Sequence, residues 1–165
     1  MTWLRVVRVV VGGVLAVALV GCAADKPEVA DVTIMEAKAM TQAVELEVAR
    51  RVPAELVASI DQSPTGSLLS CEGERNYNWA GGITVYLTEG ADLDAAIQGF
   101  TDANADGWTI ERETSAAGNP RFAIRSPDGV FILADAYADH PVSLEASSFS
   151  PCFHLPDDES PLGRF

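Results

Sequence analysis

Asp102, Asn104 and Asp106 alternate along Asp102-Ala103-Asn104-Ala105-Asp106-Gly107, and Glu113 stands at the twelfth position counted from Asp102. Oxygen ligands at alternate positions, a glycine at the bend and a closing carboxylate are what a hard cation needs, and the spacing is that of a calcium loop residue for residue. The flanking residues argue the other way. Thr109 occupies the eighth position, where such loops carry an aliphatic side chain, and the Gly118-Asn119-Pro120 turn leaves no room for a second helix. An acidic helix end, a terminating glycine and a strand account for the same residues, so no metal ligand and no cofactor is assigned. His140, in an Asp139-His140-Pro141 turn, and His154 are the only histidines, and neither has a partner at metal-ligand spacing. Gly-x-Ser-x-Gly elbows, phosphate-binding loops and dinucleotide fingerprints are absent, so the sequence nominates no catalytic residue. Tyr77-Asn78-Trp79-Ala80-Gly81-Gly82 brings two aromatics beside a glycine pair. They form either a lip for a small ligand or a cover for the core, and the second is favoured because aromatics of small α+β domains usually fill the layer between helix and sheet.

The clearest chemistry belongs to Cys22. Met1 to Arg8 carries two arginines and no acid, Val9 to Val20 is an unbroken run of valine, leucine, alanine and glycine, and Asp25, Lys26 and Glu28 follow closely. This is the charge and length pattern of an export signal, too short to remain as a spanning helix of roughly 20 apolar residues. Arg5 and Arg8 are separated by two valines, which excludes a twin-arginine signal. Leu19-Val20-Gly21-Cys22 resembles the lipobox of bacterial lipoproteins. That resemblance implies a diacylglyceryl thioether on Cys22, with cleavage after Gly21. Two acyl chains give a stable anchor where one is marginal.

Removal of residues 1–21 takes away Arg5 and Arg8 and leaves nine basic against 24 acidic side chains, a formal charge of −15. Such a chain is a poor partner for nucleic acid and for anionic surfaces. Three cysteines make an odd set for an exported protein until one is assigned to lipid. Cys71 and Cys152 then pair in an oxidising compartment, closing a loop of about 80 residues whose chain-entropy contribution is on the order of 4 kcal/mol. The rival, two separate thiols or a metal pair, lacks a CxxC partner or a histidine at ligand spacing.

The elements that position these residues follow from periodicity. Residues 22–29 form a lipidated N-terminus and a short stalk. Ile34, Ala37, Met40, Val44 and Val48 recur at helical spacing between Ala30 and Val52, with Glu36, Gln42, Glu45 and Arg51 largely elsewhere on the wheel. Pro53 ends that helix, which resumes for a turn or two over Ala54 to Ile60. Leu68 to Cys71 leads into a loop. Ile83 to Leu87 reads as a strand, Asp92 as the N-cap of a second helix with Ala96, Ile97 and Phe100 on its apolar side, and Asp106-Gly107 as its end. Trp108–Thr114, Arg121–Ser126, Val130–Ala136 and Val142–Ser148 alternate as strands joined by hairpin turns. The expectation is an α+β domain over 30–153, an antiparallel sheet of about five strands with two helices on one face, and a loose tail over 154–165.

With the pattern laid out, the chain resembles the small actinobacterial envelope lipoproteins of unknown function. The likeness is carried by Cys22 in its lipobox, Cys71-Glu72-Gly73, Tyr77 with Trp79, Gly107-Trp108-Thr109 and Ser150-Pro151-Cys152-Phe153. It implies a protein held on the extracytoplasmic face of the cell membrane, with membrane lipid as its partner through Cys22. A non-enzymatic binding or accessory module is the expected role. The alternatives are an envelope hydrolase or transferase without a recognisable motif, and a calcium-binding protein acting through Asp102, Asn104, Asp106 and Glu113.

Overall fold

The computed structural model describes residues 29–102, 107–139 and 141–165. Helix α1 spans Ile34–Ala49, starting at Thr33 with a capping box: the Thr33 hydroxyl accepts from the Glu36 N–H and the Glu36 carboxylate accepts from the Thr33 N–H. Those bonds hold the Glu36 carboxyl below its ordinary pKa. Eight strands follow: β1 Val57–Gln62, β2 Ser67–Ser70, β3 Asn76–Leu87, then after helix α2 (Leu93–Phe100) β4 Thr109–Thr114, β5 Pro120–Arg125, β6 Phe131–Tyr137, β7 Ser143–Phe149 and β8 Phe153–His154. Asp92 caps α2 through the Ala95 N–H, at the residue its type predicts.

All strand pairs are antiparallel, in the order β1-β3-β7-β6-β5-β4, with β2 and β8 also paired to β3. The fold is α+β, with both helices on one face of the sheet, but the sheet has eight strands rather than five. The three additional strands border or extend β3. Ala54–Leu56 is a single 3-10 turn rather than a resumed helix, and the chain then enters β1. Leu68 and Leu69 lie in a strand of their own, β2, which leads into the loop as expected, and the twelve-residue β3 begins at Asn76 rather than at the expected Ile83. Long-range pairing overrides local turn chemistry here: Gly81 faces Ser148 and Gly82 faces Ser147 across the ladder.

The core lies between helices and sheet. Val44, Val48 and Ala49 of α1 and Ala96, Ile97 and Phe100 of α2 pack on Ile83, Val85, Ile124, Ile132 and Leu144. A smaller cluster joins Ile34 and Ala37 to Trp79, Phe153 and Leu155. Leu155 is fully buried, so the C-terminal segment is not the loose tail its composition suggests. Arg75, at φ 54°, turns its guanidinium onto the carbonyls of Leu155, Pro156 and Glu159, and Phe165 exchanges backbone hydrogen bonds with Gly66. Among the described residues no helix is long and apolar enough to cross a membrane.

Candidate functional site

Because both helices lie on one face, the other face of the sheet carries no helix among the described residues. Strand alternation decides what it presents. Ile132, Ala134 and Ala136 of β6 point into the core, so Phe131, Leu133, Asp135 and Tyr137 point out. The register then sets Asp135 beside Glu145 and Arg121, Phe131 beside Phe149 and Arg125, and Thr84 beside Asp61 and Glu145. Sequence alternation assigns each side chain to a face; only the pairing of distant strands shows which of them share one site.

Two troughs result. The polar one, about 460 Å³, has the Gly81-Gly82 backbone in its lining and carries Asp61, Thr84, Arg121, Asp135, Tyr137 and Glu145. Arg121 makes a fork to Asp135, Nε to Oδ1 and Nη2 to Oδ2, both 2.9 Å, and these bonds hold the guanidinium above its ordinary pKa. The apolar trough, about 620 Å³, is lined by Leu69, Phe131, Phe149 and Pro151 together with Ser70, Asn78, Arg125 and the half-cystine Cys152. Phe131 and Phe149 are stacked with ring centroids 6.0 Å apart, and the Arg125 guanidinium sits 5.2 Å from the Phe131 centroid. Asn78 Oδ1 is shut off from solvent without a donor.

The residues singled out in the sequence fall into three groups. Cys71 and Cys152 are joined in a disulfide that pins the β2–β3 turn to the break between β7 and β8. Cys22, Asn104, Asp106 and His140 lie outside the described residues. Of the calcium pattern only Asp102 and Glu113 are described: Glu113 faces Arg121 across the β4–β5 ladder, and the Asp102 carbonyl accepts a 2.8 Å hydrogen bond from Arg51 Nη1. Among the described residues no group of three or more His, Cys, Asp or Glu side chains is placed to hold a metal ion. His154 Nδ1 lies 3.3 Å from Asn76 Oδ1. Trp79 is fully buried, as a core-covering aromatic, while Tyr77 packs at the edge of the same cluster.

Glu45, placed with the polar residues of the α1 wheel, is instead fully buried. Its carboxylate accepts hydrogen bonds from the Ser148 hydroxyl and from Gln62 Nε2, the latter at 2.6 Å. Burial pushes its pKa up, opposed by those two donors. The folded chain therefore keeps a proton that the unfolded chain releases first, and the stability this contributes is lost as pH rises from the ordinary glutamate range through the raised value. Glu45→Gln places a carbonyl toward Gln62 and an amide toward Ser148. It is expected to raise stability at pH 7 by about 1–2 kcal/mol. Urea melts of both proteins at pH 4.5 and 7.5 check this, since the advantage of the variant must grow with pH; a difference independent of pH would sink the assignment.

No protein-family model matches the chain. Searches of curated proteins and of solved structures also return no match.

Proposed function

We propose that this chain is a lipid-anchored protein of the extracytoplasmic face of a bacterial cell membrane, kin to the small actinobacterial envelope lipoproteins. Its open sheet face serves there as a binding or accessory surface rather than a catalytic centre. The observation that carries the reading is the disulfide: it takes up Cys71 and Cys152, leaving Cys22 of Leu19-Val20-Gly21-Cys22 as the one remaining thiol. A bond of this kind belongs to an oxidising compartment, and a lone cysteine directly after a short apolar signal suits lipid attachment. The binding role is supported by the two troughs of opposed chemistry on one uncovered face.

Intact mass of the protein extracted from membranes, beside Cys22→Ala, tests the anchor. The expected result is cleavage after Gly21 and a diacylglyceryl mass increment that Cys22→Ala abolishes, with two thiols open to alkylation only after reduction. A processed chain without lipid would overturn the anchor and make the protein a freely secreted one.

A further inference from the structure

We propose that the apolar trough binds a long-chain fatty acid, its carboxylate on Arg125 and its chain laid across the sheet toward Leu69. This rests on the open face being the binding surface and adds the chemistry of the ligand. The ladder sets a row across five strands: Arg125 of β5 pairs with Phe131 of β6, Phe131 with Phe149 of β7, Phe149 with Ala80 of β3, and Ala80 with Ser67 of β2, where Leu69 shares the outward face. Four strand spacings make about 19 Å, which suits an extended long acyl chain. Along that row the two phenylalanine rings form an apolar surface, Ala80 leaves a dip, and Leu69, 47% exposed, gives an apolar end.

Charge picks out the head group. The chain carries 24 acidic side chains, yet the lining of this trough has none, and its one charged group is Arg125. The other open-face arginine, Arg121, is forked to Asp135, whereas among the described residues Arg125 has no carboxylate within ion-pairing distance and rests on the Phe131 ring. A guanidinium at the end of an apolar row matches a carboxylate at the end of a hydrocarbon. A neutral lipid leaves it unanswered and an alkylamine is repelled by it.

The test uses the full-length chain in membrane vesicles with palmitic acid bearing a diazirine at its methyl end, and mass spectrometry to locate the cross-link. Label is expected within residues 67–70, to be displaced by excess palmitate and not by hexadecylamine, and to fall about tenfold in Arg125→Glu, an exposed position outside the core. Label unaffected by Arg125→Glu, or displaced equally by hexadecylamine, overturns the proposal. Label displaced by phosphatidylglycerol vesicles but not by palmitate overturns it in favour of the bilayer. Cross-links confined to the polar trough overturn the ligand while leaving the open face as the binding surface; none on that face overturns both. Cys22→Ala, run in parallel, is expected to label as the parent does, so loss of the anchor and loss of the ligand site are read separately.

Discussion

Replacing Cys71 and Cys152 together by alanine is expected to lower the stability of the domain by about 4 kcal/mol. The two positions are 81 residues apart in sequence, so the bond closes most of the folded chain into one loop and removes much of the freedom of its unfolded state. It also ties together two breaks between strands around β3. The β2–β3 turn is held at its base by the Cys71 N–H to Asn76 carbonyl bond, and the β7–β8 break crosses Ser150 and Pro151 before β8 resumes for two residues. Urea midpoints of the double variant, set beside those of the parent with and without reductant, measure the effect. The reduced parent and the variant should coincide. A loss below about 1 kcal/mol in both would mean that the open chain is already compact enough for the cross-link to restrict little.

A loss of similar size is expected at Trp79. The side chain is fully buried on the helix-facing side of β3, between Ile34 and Ala37 of α1 and Phe153 and Leu155 of the C-terminal segment. Its ring lies over Gly66 and Gly81, and a Cβ at either position would run into it. No smaller residue fills that space from the neighbouring strands, so Trp79→Ala leaves a cavity and should cost about 3–5 kcal/mol. Trp79→Phe separates packing from polarity. The indole Nε1 has no hydrogen-bond partner, so losing it sacrifices no bond, and the phenyl variant should keep most of the stability. Thermal melts of the two variants decide the matter: similar, small losses in both would remove Trp79 from the set of residues that hold the smaller cluster together.

Both effects involve residues whose types could be read from the chain, but their surroundings could not. The Asp92 cap and the alternation of β4 to β7 are local signals, and each appears within a residue of where it was expected; the helix ends are less sharply written, α1 spanning Ile34–Ala49 inside the expected 30–52 and α2 stopping at Phe100 ahead of the expected Asp106-Gly107. The strands around β3 are not local. Val57–Gln62 carries alanine, serine, aspartate and glutamine, with no clean alternation, and is a strand because Leu87 to Ile83 lies beside it. Tyr77 to Gly82 has the composition of a loop and is held extended by β2 on one flank and by β7 and β8 on the other. Glu45 shows the same limit at a single position: on the wheel it is another carboxylate, and only the approach of Ser148 and Gln62 gives it a place inside. The open face was equally out of reach, because its members come from β1, β2, β3, β5, β6 and β7 and meet through register alone.

The central position of β3 has a consequence for the order in which the chain can organise. Ribosomes deliver a polypeptide from its N-terminus, yet one flank of β3 is completed by strands that end at Phe149 and His154. Until those arrive, α1 has only half a sheet to rest on, the polar groups along one edge of β3 remain bonded to water, and Cys71 has no partner within the domain. Completion of the sheet thus waits on contacts between residues far apart in the chain, and contacts of that kind make folding slow. The interval before closure is the time in which an unpaired twelve-residue strand must be kept from other chains.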